Sequence, residues 1–210
     1  IESFEFTKAA STLQYEHTRL KLALENDREY TSPEAHDPIR LFMDHTTTYG
    51  SAIIFPEYLQ YQMDTDDEER YVAIKSAMAL DQNVGKLELV WTPLVGPDTE
   101  ETVAEAEAFN DVKEDLLGKS WTARLEIRGA SGLEIMCSKA YVQYKFFGEL
   151  YETLRIDDAT FAPNFNYSYV HHIENVTQEF LDFLDKPMSF HVYAAPYIKV
   201  KDGEQPSTSD

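Results

Sequence analysis

Between Trp121 and Ala194 the chain alternates. Trp121, Ala123, Leu125 and Ile127 place apolar side chains at every second position, and Tyr141, Val142, Tyr144, Phe146 and Phe147 form a second apolar run. A period of two lines up one face of an extended strand, so each run has a buried row and a solvated row. Gly129 and Gly132 mark a turn after the first run, and Pro163 with Asn164 breaks the chain before the aromatic stretch Phe165–Tyr169. Short alternating runs separated by turn residues predict an antiparallel β-sandwich over 119–201. Its core candidates are Trp121, Leu125, Ile127, Tyr141, Phe146, Phe165, Phe180, Leu184, Phe190 and Val192. One short helix is expected at Thr177–Leu184, started by Val176 and Thr177 as staple and cap and ended by Pro187.

The first 118 residues read differently. Phe6, Ala10, Leu13, His17, Leu20 and Leu24 recur at alternating spacings of four and three, an a/d seam on a helix from about Phe6 to Tyr30. So short a seam needs a partner: the domain that follows, a longer coiled coil, or a second copy in a homodimer. Thr31-Ser32-Pro33 stops the helix and Pro38 forbids its return, giving a coiled-coil-type segment over 1–36. An acidic β-rich segment follows over 37–118. Its expected strands are Ile39–Met43, Ala52–Phe55, a pair around Tyr58–Met63 and Tyr71–Ser76, and Lys86–Trp91, where Leu87, Leu89 and Trp91 share a face. Asp64–Glu69 reads as a solvated hairpin tip. Asp98–Phe109 suits a short helix capped by Asp98 or Thr99, or a mobile linker. Residues 202–210 read as a disordered tail, and 37–201 could also form one compact unit.

The net charge of −20 lies mostly in the first segment. Residues 1–118 hold 9 Lys and Arg against 25 Asp and Glu, a charge of −16; residues 119–201 hold 9 against 10, a charge of −1. Phosphate recognition needs lysine and arginine, so such acidity excludes nucleic acid as a partner and disfavours anionic membrane. It favours a basic protein surface instead. A single cysteine, Cys137, excludes an intrachain disulfide and fits an intracellular protein, for which the sequons at Asn166 and Asn175 are chance matches. No apolar run reaches transmembrane length, and the start lacks the order of a signal peptide. Opening mid-helix without methionine, the chain reads as a piece of a longer protein.

The unit written "LEIRGASGL", "SKAYVQYKFFG", "YET", "APNFNY" and "FHVYA" resembles a C2 domain. The full order of elements resembles the stalk of a kinesin-3 motor. The matching residues are "AIIFPEYLQYQM", "YVAIKSAMALDQNVGKLELVWTPL", "DVKEDLLGKSWTARLEI" and "YETLRIDDATFAPNFNYSYVHHIENVTQEFLDFL", spanning about Leu13 to Ala194. The acidic stretch Asp98–Glu107 and the stretch Ala79–Asn83 depart from the family pattern. The resemblance implies a mainly β module: a C2-like sandwich preceded by a β-rich segment and a coiled-coil-type helix. It also implies a non-catalytic role in autoinhibition, with the motor domain or neck of the same protein as partner. A cargo adaptor or scaffold, such as one of the MAGUK type, is the second partner the resemblance implies, and the setting it implies is cytoplasmic and microtubule-associated. The residues singled out to meet a basic motor surface are Asp64, Asp66, Asp67, Glu68 and Glu69, with Glu100, Glu101 and Glu105 second.

No cofactor, metal or catalytic residue is expected. Calcium-binding C2 domains ligate the ion through an "SDPYV" loop and a second acidic cluster. Here Ser138-Lys139-Ala140-Tyr141-Val142 and Tyr193-Ala194-Ala195-Pro196 stand in those places. His171 and His172 are adjacent, so a strand points them to opposite faces and they cannot share one ion. Cys137 lacks an oxyanion hole or an orienting group, and no GxSxG, P-loop or GxGxxG occurs. The alternative reading is a calcium-independent phospholipid-binding C2 module, which would need Lys139, Lys145, Arg155 and Lys186 to cluster.

Overall fold

The computed structural model describes residues 14, 17–19, 21, 46–79 and 81–197. Two compact units divide the chain, one ending at Thr46 and one beginning at Thr47. In the first, Gln14, His17–Arg19 and Lys21 are helical and exposed, and the Thr18 hydroxyl donates to the Gln14 carbonyl at 2.8 Å. The other seam residues, Phe6, Ala10, Leu13, Leu20 and Leu24, lie outside the described residues, as do the strand expected at Ile39–Met43 and the tail.

The second unit is mainly β. Its strands are β1 (Thr47–Ile54), β2 (Tyr71–Ser76), β3 (Asn83–Pro93), β4 (Trp121–Ser131), β5 (Cys137–Phe146), β6 (Glu149–Glu152), β7 (Asn164–Ile173) and β8 (Met188–Pro196). They form one sheet in the order β6-β5-β8-β1-β2-β3-β4-β7. Every pairing is antiparallel. The boundary drawn at 118/119 does not separate two sheets, because β1–β3 stand between β8 and β4 and hydrogen-bond to both.

The sheet curls until its two edges meet. Tyr151 on edge strand β6 and Tyr169 on edge strand β7 bring their rings to 4.9 Å, in place of backbone pairing. The alternation read from the sequence supplies the inner face. Leu87, Leu89 and Trp91 on β3, and Trp121, Ala123, Leu125 and Ile127 on β4, are all buried. Val142, Tyr144 and Phe146 on β5 meet Phe190 and Val192 on β8 in the same cluster. Full burial of each large side chain contributes about 1.5–3 kcal/mol, so this lining dominates stability.

One end of the curl is plugged by the helix Gln178–Leu184 and a 3₁₀ turn, Pro56–Tyr61. Thr177 caps the helix, its hydroxyl accepting from the Phe180 N–H, and Phe180 meets Trp121 edge-on at 5.0 Å. Buried Gln60 ties the plug together, its side-chain amide donating to Asp185 Oδ1 at 2.5 Å. The Trp121 indole donates to the Leu59 carbonyl at 3.2 Å. Of the strand pair expected around Tyr58–Met63 and Tyr71–Ser76, the first member is therefore corrected to a 3₁₀ turn, and the second is β2. Pro56 pre-sets the first helical φ, and Gln62 leaves the turn in the left-handed region at φ 56°.

Candidate partner-binding site

The acidic residues singled out from the sequence lie in two loops, and the structure brings those loops side by side. Thr65 fixes the first. Its hydroxyl accepts from the Trp91 N–H at 2.8 Å and bonds Tyr58 Oη at 3.0 Å, while its own N–H donates to the Trp91 carbonyl at 3.0 Å. Beyond it the Glu68 N–H donates to Asp66 Oδ1 and the Glu69 N–H to the Asp66 carbonyl, both at 3.0 Å. The turn is thus built, and it joins the 3₁₀ turn to β2 rather than tipping a hairpin.

The second loop forms no helix, correcting that expectation for Asp98–Phe109. Its anchor is Val103, 1% exposed. The Thr102 N–H donates to Glu105 Oε2 at 2.9 Å and the Glu105 N–H donates to Thr102 Oγ1 at 3.1 Å, a reciprocal cap on a single turn. Asn110 then reaches the first loop, donating from Nδ2 to Gln62 Oε1 at 2.8 Å.

Charge follows from that geometry. Partial burial pushes the Asp64 carboxyl above its ordinary range, and the nearby Glu105 carboxylate adds to the push. Glu105 is itself held low by the Thr102 backbone and hydroxyl, so the negative charge beside Asp64 persists. Not every expected residue is available. Asp67 pairs with Arg70, and Glu100 pairs with Arg124 on the outer face of β4. Asp64, Asp66, Glu68, Glu69 and Glu101 are exposed and have no cationic side chain in contact among the described residues. They form the usable part of the acidic surface.

No protein-family model matches the chain, and no curated protein does either. The functional reading therefore rests on the residues and their arrangement.

The alternative chemistries meet specific obstacles. His171 is 2% exposed and His172 lies on the outer face, where its Nδ1 bonds Thr122 Oγ1 at 2.9 Å. Cys137 is fully buried, and burial raises its thiol pKa, which disfavours the nucleophilic thiolate. β5 and β8 bring the would-be calcium positions together, Lys139 opposite Ala195 and Ala140 opposite Ala194. What they offer is an ammonium and methyl groups. Among the four cations of the lipid reading, Lys139 and Lys145 are six positions apart on β5, roughly 20 Å at strand rise. Arg155 lies over the Tyr141 ring at 4.7 Å and donates to Glu152 at 3.2 Å. Among the described residues no helix is long and apolar enough to cross a membrane.

Sequence reasoning missed a groove of about 500 Å³ beside the acidic turn, between the ends of β1 and β2. The available signal was "AIIFPEY", whose Ile53 and Phe55 are 48% and 66% exposed although they belong to an apolar run.

Proposed function

We propose that this chain is a non-catalytic regulatory module from the stalk of a kinesin-3-type microtubule motor. In this reading its finer architecture is C2-like and its setting is the cytoplasm, on microtubules. It folds back on the basic motor domain or neck of the same protein and holds it inactive, and a cargo adaptor or scaffold releases it. The order of sequence motifs from "AIIFPEYLQYQM" to "HHIENVTQEFLDFL" supports the family. The observation that carries the mechanism is the adjacency of the two acidic loops at Asp64 and Glu105, which concentrates carboxylates at one place on the surface. A motor that walks on acidic tubulin presents a basic face, and an acidic surface linked in the same chain competes for it. Linkage supplies an effective concentration of about a millimolar, so a weak contact suffices.

The experiment is neutralisation of the free carboxylates in the parent motor: Asp64→Asn, Asp66→Asn, Glu68→Gln and Glu69→Gln together. Microtubule-stimulated ATPase and landing rate should rise. If both stay at the inhibited level, the acidic turn is not the clamp. A phospholipid-binding role is the competing function; the spread of Lys139, Lys145 and Arg155 over the outer surface weighs against it. Co-sedimentation with anionic vesicles at low and high salt separates the two readings.

A further inference from the structure

β1 and β2 run side by side for only three positions, Gly50, Ser51 and Ala52 against Ser76, Lys75 and Ile74. Both continue as strand beyond that point, β1 to Ile54 and β2 back to Tyr71. β1 stays paired on its other side, Ile53 with Ser189 and Ile54 with Met188, and β2 stays paired with β3. On the side that should join them, Tyr71–Ala73 and Ile53–Ile54 have no strand partner among the described residues. An antiparallel strand alternates its N–H and C=O groups between its two sides, so this stretch of β2 offers backbone groups to the gap. It is an open edge inside a sheet.

The gap is the groove of about 500 Å³. Its floor is apolar, made by Ile54, Val72, Leu89 and Trp91, and its rim is acidic at Glu57 and Glu69. Trp91 is fully buried, its ring packed against Phe146 and His171, and among the described residues its indole N–H has no hydrogen-bond partner. Exposed Ile53 and Phe55 extend the apolar surface, and Asp66 and Glu68 extend the acidic one. Arg70 is the nearby cation on the turn, and it is paired with Asp67.

We propose that the cleft between the diverging ends of β1 and β2 docks an extended protein segment of alternating apolar and basic side chains, by strand addition to Tyr71–Ala73. Backbone bonds to the open edge supply affinity without sequence demand. Period-two alternation sends one row of side chains to the Val72 and Leu89 floor and the other to the carboxylate rim, which selects lysine and arginine for that row. The charge of the rim decides the class of occupant: an acidic or neutral strand would leave Glu57 and Glu69 uncompensated. This inference shares Glu69 with the proposed motor contact, and its test reads peptide binding with no motor domain present, so the two can fail separately.

The test uses the whole 210-residue chain and a fluorescein-labelled eight-residue peptide of alternating leucine and arginine, followed by anisotropy at physiological salt. Two comparison peptides replace arginine by glutamate or carry N-methyl groups at alternate positions. Binding of the arginine peptide should weaken about tenfold in Glu57→Lys/Glu69→Lys and less than about twofold in Asp157→Lys/Asp158→Lys, which changes charge equally in a distant loop. Both comparison peptides should fail to bind. Hydrogen exchange gives the second readout: the amides of Tyr71 and Ala73, which face the gap, exchange fast in the free chain and slow with peptide, whereas Val72 faces β3 and stays protected throughout. Failure of the arginine peptide to bind, or equal losses in the two variants, overturns the proposal. Slow exchange of the Tyr71 and Ala73 amides in the free chain does so as well, because the groove is then already filled by this chain or by a second copy.

Discussion

The Tyr144 hydroxyl meets His171 Nε2 at 3.0 Å across the curled sheet, joining β5, the strand next to one edge, to β7, the strand at the other edge. The same hydroxyl reaches Tyr167 Oη at 3.2 Å. Around this buried polar contact the rings of Trp91, Phe146, Tyr151 and Tyr169 pack against the imidazole. The sheet closes through this cluster instead of through an eighth pairing.

Acid should weaken that closure. Burial lowers the His171 pKa to about 4, from the ordinary 6.5. The unfolded chain therefore takes up a proton near pH 6.5 that the folded chain refuses. The stabilising contribution is complete above 6.5 and is lost as pH falls towards 4, on the order of 2 kcal/mol between pH 7.5 and 5. Urea unfolding at the two pH values checks this: His171→Phe should show a pH dependence smaller by that amount. An unchanged dependence would mean the imidazole is protonated in the fold.

Phe180→Ala should cost about 3–5 kcal/mol in the same assay, because it empties a fully buried site. Phe180 packs edge-on against both Trp121 and Phe147, so the loss would detach the helix from the end of the sheet. A cost below about 1 kcal/mol would contradict the plug.

Thr177→Ala should cost about 1 kcal/mol through the lost cap, and Thr177→Ser should recover most of it. Equal losses in the two variants would place the effect elsewhere than in the hydroxyl.

Calcium at millimolar concentration should leave the melting temperature unchanged. Lys139 and Ala195 face each other where a calcium site would need carboxylates. A saturable upward shift in melting temperature would show ligands elsewhere.

Local chemistry was legible in the sequence where the pattern was local. β2 was read with the bounds Tyr71–Ser76 that it has, and all ten core candidates between Trp121 and Val192 are buried. The opposite placement of His171 and His172 followed from strand geometry alone. The 3₁₀ turn at Pro56–Tyr61 was missed because a short apolar run satisfies strand and helix alike, with Pro56 the only discriminating residue. Pairing partners were illegible for a different reason. Ser51 lies beside His191, 140 residues away, with Oγ to Nδ1 at 2.8 Å, and no local signal encodes such a register. In the acidic loops the carboxylates were legible, and the Thr102–Glu105 cap is a local Thr-x-x-Glu signature that went unread, whereas the Arg124 partner of Glu100 depends on tertiary placement.

The most direct measurement of the proposed function adds this 210-residue chain in trans to an isolated kinesin-3 motor domain, the proposed partner, and follows microtubule-stimulated ATPase at increasing salt. We expect inhibition that saturates with chain concentration, weakens as ionic strength rises, and is lost when Asp64, Asp66, Glu68 and Glu69 are neutralised. Undiminished ATPase at saturating chain and low salt would contradict the account.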